Sequence, residues 1–384
     1  MDAPRKSRSR AGERRPPVPR TRGEERTERT QPSAACARIF YMDPALIGAL
    51  PRWDAPLDDC ARMGFDTVLI APPFAPGATR DPFLAGDYAR TNASLEWERD
   101  AVSALGALAE RCAARGLGLE LDVRLDASAA ENPAVRAEPD LYRLRALRDG
   151  EPPDPRRIAE APAAAVARFD DTAHAARLGD IWIERLRKWR DAGVTGFRFL
   201  APQRVPAEVW TRVLAPLSSG AARLSAWTPG LAAEEVAALA ACGFDAVYSS
   251  LPWWDFRAGW LLEEDARLHR IGDVIAPVEV PFGERLAARY ADATTFRRAA
   301  ARLLDFTASF ADGLLVPIGF EHGARRPLPS RDASPADLAA MREDGIADIR
   351  DALTRANATL AGRAAEARDV RDLAGAGRTI TRAP

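Results

Sequence analysis

Eight short apolar runs recur along the chain, at residues 38–42, 65–71, 117–123, 196–201, 223–227, 244–250, 274–280 and 313–320. Each is near-continuously apolar rather than alternating, which is how a parallel strand covered on both faces reads. Between them lie stretches with apolar residues at helical spacing. Those at 97–115, 180–192 and 231–242 stop at Gly116, Gly193 and Gly243, where the left-handed residue just past a helix end belongs. The segments 294–310 and 335–360 read as the last two helices. Eight strand–helix units in a row predict an α/β fold, a (β/α)8 barrel. A doubly wound sheet is the alternative, but it usually has fewer strands and a glycine-rich first turn. No GxGxxG follows the first run.

Composition narrows the function classes. With 47% hydrophobic residues the 384-residue chain can bury a large core. A formal charge of -1 argues against nucleic acid as a partner, because neutralising phosphates needs a basic surface. No apolar run reaches the ~18 residues of a membrane span. No apolar stretch follows the basic start, so no secretory leader is expected. Cys36, Cys60, Cys112 and Cys242 lie far apart and form no metal-binding spacing, as expected of reduced thiols in a cytoplasmic protein. With only three histidines, His174, His269 and His322, neither a metal nor a cofactor is expected.

Residues 1–35 are rich in Arg, Pro, Glu and Ser and almost devoid of large apolar side chains, so they read as a disordered tail. Residues 36–360 are the expected barrel domain. A long insertion after the third strand, 126–172, is expected at the C-terminal face, where barrel active sites are built. Residues 361–384 read as a tail, with a strand start near Arg378 and the beginning of a further domain as the expectation.

The strand ends carry more specific motifs. They are GFDTVLIAPPFAPG at 64–77, GDYAR at 86–90, GVTGFR at 193–198, CGFDAVYSSLPWWDFR at 242–257 and GFEHG at 319–323. Together they resemble glycoside hydrolase family 13, the α-amylase family. Within it the chain looks like the maltosyltransferases that extend α-1,4-glucans from maltose 1-phosphate, and like the amylase-like modules associated with them. The resemblance covers most of the chain between Arg38 and Arg331. It implies a barrel of the α-amylase type and a ligand that is an α-glucan or maltooligosaccharide.

That family's chemistry uses two carboxylates flanking the scissile bond, one a nucleophile and one a general acid. Its fourth-strand motif, Gly-Phe-Arg-x-Asp, is Gly-Phe-Arg-Phe-Leu here, so Leu200 stands at the nucleophile position. The fifth-strand Glu is replaced by Trp227. The segment after the seventh strand, VPFGERL at 280–286, lacks the family's His-Asp pair, and DVRLDA at 122–127 keeps its Asp but not its His. Asp87, Tyr88, Asp122 and Arg198 survive as family sugar-contact or support positions. Asp122 becomes the expected partner of Arg198. No catalytic residue is intact on this reading.

The expectation is therefore a catalytically inactive member that binds glucan or scaffolds a glucan-building enzyme. The alternative is an active maltosyltransferase or hydrolase with relocated acids, drawn from Asp122, Glu279 and Glu284. A third reading is a decayed product, which the intact glycine stops argue against. Trp227, Trp253 and Trp254 are candidates for stacking on sugar, with packing as the competing role. Glu321 and His322, past the last strand, are expected to be structural, as are His174 and His269. Asp170 and Asp171 are expected to cap a helix.

Overall fold

The computed structural model describes residues 36–146, 163–218, 222–329 and 331–375. The tail expected at 1–35 and the strand start near Arg378 lie outside the described residues. Eight parallel strands close into a barrel: β1 Ala37–Met42, β2 Thr67–Ile70, β3 Gly118–Arg124, β4 Gly196–Leu200, β5 Arg223–Ala226, β6 Ala246–Tyr248, β7 Asp273–Pro277 and β8 Gly313–Pro317. Each strand pairs with the next in chain order. Closure is made by β1 against β8, with Ala37 opposite Gly313 and Tyr41 opposite Pro317. This is the expected barrel, and every expected strand is present. Several apolar runs overshoot their strands because burial continues where pairing stops. Ala71, Ile318 and Phe320 lie beyond the ladders yet are buried under the loops of the mouth.

Strand residues two apart share a face. On β4, Phe197 and Phe199 face outward into helix contacts, where Phe199, Trp210 and Phe244 pack with ring centroids 5.0–6.1 Å apart. Gly196, Arg198 and Leu200 therefore face inward. The same alternation turns Glu120, Asp122 and Arg124 of β3 inward, opposite Gly196, Arg198 and Leu200 in register. Low in the barrel, Glu120 is neutralised by Arg223 of β5 at 3.1 Å.

The helices depart from expectation in two places. The helix before β4 runs Thr172–Asp191, starting earlier than 180, because the Asp171 side chain accepts from the backbone N–H groups of Ala173 and His174. The segment expected as one helix over 335–360 is two, Pro335–Glu343 and Arg350–Gly375, and the second continues through the boundary expected at 360. The insertion holds a small antiparallel sheet, with Ala163–Ala167 between Ala127–Ser128 and Tyr142–Ala146. Among the described residues no helix is long and apolar enough to cross a membrane.

The final helix straps the start of the barrel to its end. The fully buried Asn357 amide donates to the Met63 carbonyl at 2.8 Å, across 294 residues of sequence. Removing the donor leaves a buried acceptor unpaired, which costs about 1–3 kcal/mol. Asn357→Ala should lower the unfolding free energy by that amount, read as a lower urea midpoint with an unchanged slope. A midpoint equal to wild type would show that the strap carries no stability.

Candidate functional site

The inner face of the barrel converges on Arg198. Its Nε donates to Asp122 Oδ1 at 2.6 Å and its Nη2 to Oδ2 at 2.8 Å, a bidentate pair with both side chains buried. Asp122 is thus the partner the sequence suggested. Three rings surround the guanidinium, with Tyr41, Trp227 and Tyr248 centroids 5.1, 4.9 and 5.2 Å from its central carbon. Each face can attract the cation, by about 0.5–2 kcal/mol depending on desolvation. Burial opposes the Arg198 charge, but the Asp122 carboxylate outweighs it and holds the guanidinium pKa above its ordinary value. Burial also lifts the Asp122 carboxyl, while Arg198 pulls it back.

Leu200 and Trp227 seal this pair. Leu200 ends β4 opposite Arg124 and is buried. Trp227 follows β5, is buried, donates its backbone N–H to the Phe199 carbonyl at 2.9 Å, and packs 5.4 Å from Tyr248. The void reaching Asp122 measures about 10 Å³, walled by Phe74, Tyr88, Arg124 and Trp189. That is the space of a single water molecule. A sugar ring has no room there.

The other expected residues scatter. Asp87 is half-buried on the strand Ala85–Thr91, accepts from its own loop at Ala89 N, and lies 3.6 Å from Arg90. Tyr88 packs edge-on against Phe74 and Trp182, with the Arg185 guanidinium 4.1 Å above its ring. Trp253 is half-buried in the turn after β6. Trp254 stacks near Phe256 and Phe306 and commits its indole N–H to the Ala258 carbonyl at 2.7 Å. Of the eight named residues, Asp122, Arg198 and Trp227 meet around one guanidinium and Leu200 ends the strand beside it. Asp87, Trp253 and Trp254 do not join them, and Tyr88 lines the outer wall of the void.

The remaining acids are engaged. Glu279 is buried, accepts from Leu286 N, and lies 3.5 Å from Arg285. Glu284 is exposed and pairs with Arg289 at 2.8 Å. Glu321 accepts from Gly319 N at 2.7 Å, with His322 3.6 Å away. Gly319 has φ +94°, and a Cβ there would stand 2.9 Å from the Arg285 guanidinium. His269 bridges Asp265 and Asp312. His174 sits in the first turn of its helix. Among the described residues no group of three or more His, Cys, Asp or Glu is placed to hold a metal.

A second opening lies at the same face, between the loops after β1, β2 and β8. It has a volume of about 270 Å³ and is walled largely by prolines, including Pro44, Pro72, Pro73, Pro82 and Pro329. Asp43 lines it, only 5% exposed, its Oδ1 accepting from Ala45 N at 2.9 Å. Burial pushes the Asp43 carboxyl up to about 6. Reading strand ends for family positions missed Asp43, and missed Tyr41 and Tyr248. The available signal was a polar or hydroxylated residue closing an otherwise aliphatic run.

No family model matches the chain. Over 333 residues it is 36% identical to the alpha-1,4-glucan:maltose-1-phosphate maltosyltransferase of Burkholderia pseudomallei (strain K96243), an alignment covering 86% of this chain and 29% of that protein. The chain thus spans under a third of that relative's length. Among solved structures, an alpha-amylase from Lactobacillus plantarum superposes with TM-score 0.64 at 16% identity, covering 85% of this chain and 80% of that one. A maltogenic alpha-amylase from Thermotoga neapolitana gives TM-score 0.64 at 17% identity, covering 86% and 77%. At such identities these structures speak to the fold.

Two stability measurements check this geometry. Breaking a buried ion pair typically costs about 3–5 kcal/mol, whereas replacing both partners by apolar residues is often near neutral. Arg198→Met alone should show that loss on urea unfolding, and adding Asp122→Leu should recover most of it. A single-variant loss under about 1 kcal/mol would contradict the buried pair. Asp43 works in the opposite sense. Its folded pKa is raised, so the folded state loses stability as pH climbs from about 4 to about 6. Asp43→Asn should therefore be the more stable protein at pH 7, by up to about 3 kcal/mol, with the gap closing near pH 4.

Proposed function

Since the chain belongs to the α-amylase family, glycoside hydrolase family 13, we propose that it serves α-glucan metabolism without the family's bond cleavage. It holds an α-glucan or maltooligosaccharide, or scaffolds a glucan-building enzyme. One observation supports this reading: Leu200 and Trp227, which the family motifs align with the nucleophile and general acid, are both buried apolar side chains. Retaining cleavage needs two carboxyl groups about 5–5.5 Å apart. Leucine cannot attack an anomeric carbon, and an indole has no proton to give a leaving group near neutral pH. Losing members of such a cooperating set lowers rates by several orders of magnitude. The ligand class is supported by the Burkholderia relative, whose name joins an α-1,4-glucan with maltose 1-phosphate. The four free thiols support a cytoplasmic setting. Residues 36–360 are proposed as the working domain, with the 126–172 insertion as part of its functional face.

The alternative of relocated acids has less support. Asp122 is tied to Arg198 by two hydrogen bonds, Glu279 is buried and held by Leu286, and Glu284 is exposed and paired with Arg289.

The test is a product assay. Folded protein is incubated with maltose 1-phosphate plus maltoheptaose, and with maltoheptaose alone, and read by mass spectrometry. No change in chain length is the expected result. New chain lengths that vanish in Asp122→Ala would establish catalysis by relocated acids and end the non-catalytic reading.

A further inference from the structure

We propose that the proline-walled cavity at the rim of the barrel, rather than the barrel axis, is where this chain holds a glucosyl unit, with the buried Asp43 carboxylate accepting a sugar hydroxyl. The inference rests on the glucan-binding reading above and assigns that function a place.

Space decides first. The rim cavity of about 270 Å³ approaches the lower end of ligand pockets, about 300 Å³, whereas the neighbouring void that reaches Asp122 measures about 10 Å³ and admits a water. The two share the walls Pro72, Phe74 and Pro82, so a ligand in the rim cavity lies next to Asp122. Loops from three separate barrel units form it, as is usual for sites on this face.

The chemistry of the walls selects the ligand. Asp43 is buried, and Ala45 N is the hydrogen-bond donor that the described residues give it. A buried carboxylate without a cation is costly to keep. It becomes useful where a ligand brings a donor, and a sugar hydroxyl is such a donor. The charges lining the cavity balance: Arg80 pairs with Asp332 at 2.6 Å, and Arg331 and Asp43 add one charge of each sign. A lining of two cations and two carboxylates favours a neutral polyol over a phosphate or carboxylate ligand. The proline rings supply apolar surface for the C–H face of a pyranose.

The experiment is calorimetric titration of the full chain with maltoheptaose. Two variants probe the cavity: Asp43→Asn, which keeps the helix cap because asparagine caps as well as aspartate, and Ser94→Trp, which fills the cavity from its exposed edge. Leu262→Ser, on the exposed face of the helix Trp260–Leu268, is the control. Circular dichroism melts confirm that each variant is folded. The expected result is measurable binding by wild type and the control, weakened at least tenfold in both cavity variants. Binding unchanged in both would overturn the rim site while leaving the glucan-binding reading standing. No binding by wild type would refute the glucan-binding reading itself and remove the rim site with it.

Discussion

The bidentate pair between Asp122 and Arg198 organises the mouth of this barrel. Two charges taken out of water need both each other and a dry, well-shaped surround. Tyr41, Trp227 and Tyr248 supply that surround, and Leu200 closes it at the end of β4. Leu200 and Trp227 are therefore part of what keeps the pair dry. An aspartate at 200 would compete with Asp122 for the same guanidinium, and a smaller residue at 227 would let water reach it.

Asp43 is the counterpoint. It is buried, as Asp122 is, but has a backbone N–H where Asp122 has an arginine. A fold selected for stability alone would replace it, because asparagine caps equally well without the desolvation cost. The two buried aspartates thus divide the mouth into a half that is satisfied internally and a half that faces an opening.

The barrel was legible in the sequence because its strands are buried on both faces, so continuous apolar runs mark them and glycines mark the helix ends. Ranges overshot where burial outlasts pairing, as at Ile318 and Phe320. The helix at Thr172 begins ahead of the apolar stretch read at 180–192, at the cap that Asp171 was expected to make. The Asp122–Arg198 contact could be read from motif positions, since adjacent strands carry both in register. Tyr41, Tyr248 and Asp43 could not. Their roles depend on which strand ends meet across the barrel and on what the loops leave open, and neither is encoded in local spacing. Trp254, read as a candidate for stacking on sugar with packing as the competing role, packs beside Phe256 and Phe306 and spends its indole N–H on its own loop.

The closure of β1 on β8, and the strap from Asn357 to Met63, have a consequence for biosynthesis. The first strand emerges from the ribosome long before its second neighbour exists. At typical translation rates of about 5–20 residues per second the interval is on the order of tens of seconds. Through that interval Ala37–Met42 presents an open, apolar edge that can pair with β2 on one side only. A nascent chain of this design cannot close its barrel until Gly313–Pro317 has emerged, and a chain cut short before that strand keeps the edge of its first strand unpaired.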